Sequence, residues 1–95
     1  MTKQYMDVCG IDFEVKTRDK SVVNSGDTNY GAIDLMQGIV YMNGVIPKSI
    51  RENTLIHEWL HGVAQNYGLD VSESIICAFA SELHRNKFRI TLKSK

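Results

Sequence analysis

The sequence predicts an α+β domain, a small antiparallel sheet with two helices on one face. Two observations carry this. Residues before about position 46 alternate apolar and polar side chains with the period of strands, whereas two later segments repeat their apolar residues at helical spacing. The order along the chain is hairpin, hairpin, helix, helix, an α+β sandwich. Ninety-five residues make one domain with an adequate but small core. We divide it into residues 1–46, mainly β, residues 47–86, two helices, and residues 87–95, a basic tail.

The first hairpin spans Met6 to Lys16, where Met6, Val8, Ile11, Phe13 and Val15 mark the apolar face and Cys9-Gly10 the tight turn. Thr17 to Tyr30 is polar and reads as a loop centred on Asn24-Ser25-Gly26-Asp27. Gly31 to Met36 and Ile39 to Asn43 read as two further strands around Gln37-Gly38, and Asn43-Gly44 ends the sheet. Pro47 suits the first turn of a helix, where its missing N–H is not needed. That helix runs from about Lys48 to Tyr67 with Ile56, Leu60, Val63 and Tyr67 as its apolar stripe, and Gly68 stops it as a left-handed cap. Leu69-Asp70-Val71 forms the link. Ser72 is a good N-cap for the second helix, about Glu73 to Asn86, with Ile76, Ala80 and Leu83 inward, Phe79 alongside and Cys77 as small core packing. Phe88 to Leu92 fits a helix tail or a short strand equally well.

Composition narrows the function. Eleven basic residues balance eleven acidic ones, so no global charge favours nucleic acid or an anionic membrane. The longest apolar run, Ile75 to Ala80, is far too short to span a bilayer. Met1-Thr2-Lys3-Gln4-Tyr5 leads into alternating residues rather than a secretory apolar run. Cys9 and Cys77 form no C-x-x-C pair, and the expectation is a cytoplasmic protein with two reduced thiols. Arg85, Lys87, Arg89, Lys93 and Lys95 make the end of the chain basic, which reads as a solvated, frayed terminus.

The first helix carries His57-Glu58-Trp59-Leu60-His61, an H-E-x-x-H pattern. Residues four apart on a helix sit one turn apart and about 40° apart in azimuth, so both imidazoles can face one ion. Zinc takes such nitrogens in a tetrahedron and, in catalytic sites, leaves one position to water. Glu58 stands at the rim of the same face, where it can take a proton from that water. Trp59 and Leu60 point away and can anchor the helix. Histidine pairs at this spacing are common; the adjacent glutamate and the uncharged flanks Thr54-Leu55-Ile56 and Gly62-Val63-Ala64 make the pattern specific.

A catalytic zinc site needs a third protein ligand. The long metzincin pattern is excluded, because Ala64 and Tyr67 stand where it requires glycine and histidine. His84 is a poor choice, lying about 16 Å along the second helix. Glu73 is the better candidate. The first helix runs about 10 Å beyond His61 before Gly68. Residues Leu69 to Ser72 can return by up to about 13 Å. Asp70, on the link itself, is the rival.

Thr54-Leu55-Ile56-His57-Glu58-Trp59-Leu60-His61 followed by Glu73-Ser74-Ile75-Ile76-Cys77-Ala78-Phe79-Ala80-Ser81-Glu82-Leu83 resembles the ImmA/IrrE-type metallo-endopeptidases, and more closely their very short phage-associated relatives. The family's second helix reads E-x-x-A-N-x-F-A-x-E-L. Glu73, Phe79, Ala80, Glu82 and Leu83 match it, while Ile76 and Cys77 replace the alanine and asparagine. The strand Gly31-Ala32-Ile33-Asp34 and the following Ile39-Val40-Tyr41 are similar to the sheet before the family's metal helix, so the resemblance covers about residues 31–84. It implies a minimal zincin core of the gluzincin-like kind, with Glu73 as the third ligand to Zn2+. Larger members cleave helix-turn-helix repressors, so the implied substrate is a peptide or protein of that regulatory kind. The expected activity is a zinc metallopeptidase with His57, His61 and Glu73 as ligands and Glu58 as general base. An exposed sheet edge, Ile39 to Asn43 or Gly31 to Met36, would hold the peptide as an added strand. Tyr30, Tyr41 and Tyr67 are candidate oxyanion donors, with Tyr67 better suited to the core. The alternative is a non-enzymatic module that uses zinc to hold its fold and sequesters a protein partner.

Overall fold

The computed structural model describes residues 2–18, 22–24 and 27–95. Among these residues seven strands and two helices follow in the order β1 (Gln4–Val8), β2 (Ile11–Arg18), β3 (Val22–Asn24), β4 (Asp27–Asn29), β5 (Gly31–Asp34), β6 (Ile39–Asn43), α1 (Lys48–Asn66), α2 (Glu73–Arg85) and β7 (Lys93–Ser94). The class is α+β, as expected. Among these residues no helix is long and apolar enough to cross a membrane.

β1 and β2 form the expected hairpin, with Met6 opposite Phe13 and Val8 opposite Ile11. Cys9 and Gly10 both take positive φ, 53° and 86°, the twist of a two-residue type I′ turn. Asp7 Oδ1 accepts a hydrogen bond from the Gly10 N–H at 2.8 Å. The expected loop from Thr17 to Tyr30 is instead mostly extended: β2 runs on to Arg18, and β3 pairs with β4 as a separate two-stranded ribbon. Ser25-Gly26, the centre of the proposed loop signal, lies outside the described residues. β5 ends at Asp34, earlier than expected, because the Asp34 Oδ1 accepts from the N–H groups of Met36 and Gln37 at 3.0 and 3.1 Å and closes the turn.

The main sheet has the order β5-β6-β2-β1-β7. It is mixed, not antiparallel: β6 runs parallel to β2, with Val15 opposite Val40. The chain between them contributes the β3–β4 ribbon and then β5, so β6 enters the sheet in the direction of β2. This placement also corrects the expected peptide-binding edges. β6 is interior, flanked by β5 and β2, and β5 is the edge strand.

One sheet face buries Met6, Val8, Phe13, Val40 and Met42, and Leu55 and Trp59 of α1 pack onto it with Ile33, Leu35, Ile90 and Leu92. α1 lies across β1, β5 and β6, and α2 packs against α1 in turn, burying Ile76 and Ala80. The close approach of α1 to the sheet depends on Gly62. A Cβ there would stand 2.8 Å from Val8 Cγ1 and 3.0 Å from Ile33 Cδ1, inside van der Waals contact. Tyr67, expected in the core, is 68% exposed at the end of α1.

The basic tail is not frayed. Residues 88–92 are irregular, then β7 pairs with β1 through Tyr5 and Lys93. The reason is electrostatic as well as hydrogen-bonded. Asp7 and Asp12 face each other across the β1–β2 hairpin, a repulsive placement. Lys93 Nζ lies 3.9 Å from Asp7 Oδ2 and 2.6 Å from Asp12 Oδ1, and Lys95 Nζ lies 2.8 Å from Asp12 Oδ2. These lysines hold the Asp12 carboxyl below its usual range. The Phe88 ring leans on Trp59, with centroids 5.9 Å apart.

Candidate metal centre

Pro47 is the N-cap of α1, which ends in a Schellman turn, in which the Leu69 N–H donates to Ala64 O at 2.8 Å and the Gly68 N–H to Gln65 O at 3.1 Å. Gly68 takes φ +67°, the left-handed conformation that this reversal needs. Ser72 then caps α2, its hydroxyl accepting from the Ile75 N–H at 3.3 Å. The reversal sets the first turn of α2 beside the H-E-x-x-H motif.

Glu73 therefore meets both histidines. Its Oε1 lies 2.8 Å from His57 Nε2 and its Oε2 lies 2.8 Å from His61 Nε2, while the two Nε2 atoms are 3.1 Å apart. Among the described residues, His57, His61 and Glu73 form the group able to hold a metal ion. Asp70 is not part of it. The donor types fit zinc, which takes imidazole nitrogen and carboxylate oxygen, and the three side chains converge on one point. Hydrogen bonds alone serve this cluster poorly. If each Nε2–H donates to Glu73, two N–H groups face each other across 3.1 Å. A cation at the centre satisfies all the lone pairs at once. Burial, opposed by the charge of Glu73, pushes the His57 pKa down, which keeps the ring in the neutral form that ligates.

Glu58 is 7% exposed and opens into the same cleft as His57 and Glu73. Burial, and then the neighbouring Glu73 carboxylate, raise its pKa to about 7. That is the range in which a carboxylate both takes and returns protons near neutral pH.

The cleft encloses about 510 Å³ and extends well beyond the motif. Ser49, Asn53, His57 and Glu58 line it from α1, Glu73, Cys77 and His84 from α2, and Tyr30 and Gly31 from the start of β5. The motif is thus the end of a longer polar stripe. Ser49, Asn53 and His57 repeat at intervals of four, a signal present in the sequence and passed over beside the stronger pattern. Of the three tyrosines considered as oxyanion donors, Tyr30 lines the cleft, Tyr41 lies on β6 under the Arg18 guanidinium, and Tyr67 is exposed at the end of α1. His84 stands apart from the metal group, its Nε2 3.1 Å from Glu52 Oε1. Cys77, expected in the core, is exposed and faces the centre. Its Sγ is 3.6 Å from Glu73 Oε1 and 3.9 Å from His57 Nδ1. Burial and then the Glu73 charge push its thiol pKa up.

Comparison with family models, curated proteins and solved structures gives no match for this chain.

Proposed function

We propose that this chain is a minimal zinc-dependent metallopeptidase in which His57, His61 and Glu73 hold the metal and Glu58 is the general base. The observation that carries the reading is the convergence of two imidazole Nε2 atoms and both oxygens of one carboxylate beside a second, buried carboxyl in one cleft. A structural site has no use for that second carboxyl; hydrolysis requires it. Zinc held by His57, His61 and Glu73 would supply the Lewis acidity that activates water for hydrolysis. Glu58 accepts a proton on its carboxylate and releases it to the nitrogen of the leaving amine. The low dielectric around Glu58 favours its proton-bearing form during that transfer. The edge of β5, whose first residue lines the cleft, suits an extended peptide as an added strand. The substrate class that follows is an unfolded or loop segment of a protein, a helix-turn-helix repressor being the one that the family resemblance suggests.

The test compares wild type with Glu58→Gln on a degenerate peptide pool read by mass spectrometry, alongside zinc per chain by elemental analysis. The reading expects cleavage by wild type and none by the variant, with zinc unchanged. Zinc loss in Glu58→Gln would make Glu58 a ligand, and no cleavage by zinc-loaded wild type would end the peptidase reading. A second reading, a zinc-stabilised module that sequesters a protein partner, draws on the outer face of α2, where Ile75 and Phe79 are 47% and 61% exposed. Partner-directed activity surviving Glu58→Gln would favour it.

A further inference from the structure

We propose that Cys77 is a positioning residue of this centre, its thiol holding the Glu73 carboxylate and the His57 ring in place for the metal without ligating it. The inference rests on the metal-centre reading above. Glu73 is the donor least held by the fold: its side chain is 63% exposed, against 21% for His57 and 25% for His61. It stands in the first turn of α2, where a free glutamate has several rotamers open to it. Something must restrict it if the site is to be formed before the metal arrives.

Cys77 is placed to do so. It follows Glu73 by four residues, one helical turn, so the two side chains share a face of α2. The thiol donates to Glu73 Oε1 at 3.6 Å, the same oxygen that lies 2.8 Å from His57 Nε2. Its sulfur also lies 3.9 Å from His57 Nδ1, the ring nitrogen that does not face the centre. One thiol on α2 thus touches a ligating carboxylate on its own helix and the back of a ligating imidazole on α1. Outer partners of metal-bound histidine and carboxylate occupy these positions and fix ring orientation and carboxylate rotamer. The sulfur sits on the Nδ1 side of the ring, away from Nε2, and outside the group of mutually close donor atoms. That separates positioning from ligation.

Cobalt(II) tests this because it reports ligand number and ligand type in its spectrum. Metal-free wild type, Cys77→Ala and Cys77→Ser are titrated with cobalt(II), and the dissociation constant is read from the visible d–d bands. We expect wild type to show no sulfur-to-cobalt charge-transfer band. Cys77→Ala should bind cobalt about tenfold more weakly, the lower end of what loss of an outer partner costs. Cys77→Ser, which keeps a donor at this position, should recover most of that loss, and the metal-free melting temperatures of all three should coincide. Equal affinity in wild type and Cys77→Ala would overturn the proposal and leave the metal centre standing. A charge-transfer band present in wild type and lost in Cys77→Ala would also overturn it, by making the sulfur a ligand. Failure of wild type to bind either cobalt or zinc would overturn the metal centre itself, and the positioning role with it.

Discussion

Two histidine–carboxylate clusters flank the cleft, and they are built differently. At one end His84 Nε2 meets Glu52 Oε1 at 3.1 Å, and the same oxygen lies 3.2 Å from Arg89 Nε. Arg89 in turn donates through Nη1 to the carbonyls of His84 and Phe88 at 2.9 and 2.8 Å. The hydrogen bond from His84, and then the positive charges of Arg89 and Lys48, hold the Glu52 carboxyl below its usual range. This contact is electrically complete. At the other end Glu73 meets two imidazoles and a thiol, and no ion pair with a lysine or arginine accompanies it among the described residues. Nearby, Glu58 adds a second carboxyl whose ionisation is opposed. The same residue types make a structural clasp where a guanidinium joins them, and leave one carboxylate against two imidazoles and a thiol where none does.

The largest effect that would sharpen this contrast is catalytic. Under the proposed function, loss of the general base costs about 10²–10⁴-fold in rate, so Glu58→Gln should abolish detectable cleavage while His84→Gln should leave zinc content unchanged. If His84→Gln removed zinc instead, the two ends of the cleft would not be independent.

Stability is the next discriminator. Metal bound only by the folded chain stabilises it by about 2.7–4.1 kcal/mol at free concentrations 100–1,000 times the dissociation constant. Chelation should therefore lower the melting temperature of wild type and leave Glu73→Ala unmoved. Equal melting temperatures for loaded and stripped wild type would break the link between the centre and the fold.

The third effect is pH-dependent. Glu58 is protonated in both folded and unfolded states below its ordinary pKa of 4.5, so its burial carries no ionisation penalty there. Between 4.5 and about 7 the unfolded chain loses that proton while the folded chain keeps it, and stability falls. Above about 7 the penalty is complete, on the order of 3–4 kcal/mol. Metal-free Glu58→Gln should thus gain stability over wild type in urea titrations at pH 8, with the gain shrinking towards pH 4.5. A gain independent of pH would mean that Glu58 is not held away from ionisation.

A smaller effect tests the seating of α1. Gly62→Ala forces a Cβ against Val8 and Ile33, and overpacking of this kind costs about 1–3 kcal/mol even against alanine's better helix propensity. The smallest effect belongs to Asp70. Its replacement by alanine should change zinc affinity and melting temperature within error, since surface substitutions away from partners stay within about 0.5 kcal/mol.

Much of this centre was legible in the residues. The four-residue spacing of His57 and His61 needs only helix geometry, and Gly68 and Ser72 announce where one helix ends and the next begins. Reach could nominate Glu73 over Asp70 but not exclude Asp70, because a link of four residues permits several return paths. The Schellman turn selects one of them. Cys77 was misread because an apolar helix face does not say which side a neighbouring helix will cover. α2 buries Ile76 and Ala80 against α1, leaves Phe79 exposed, and sets Cys77 at the open margin of the contact, where its thiol meets His57 and Glu73. Tyr67 was misread for a related reason, since it continues the apolar stripe of α1 past the point where sheet and second helix give out.

Local periodicity, capping residues and the four-residue spacing of the histidines are properties of consecutive residues, and the sequence by itself determined them: the first hairpin, both helices and the H-E-x-x-H face. The parallel pairing of β2 with β6, the choice of β5 as the edge strand, the docking of the basic tail on Asp12 and the meeting of Cys77 with Glu73 and His57 were decided by tertiary structure alone. Each joins groups whose proximity depends on how whole elements pack, and hydrophobic burial, which drives that packing, carries no directional code in the chain.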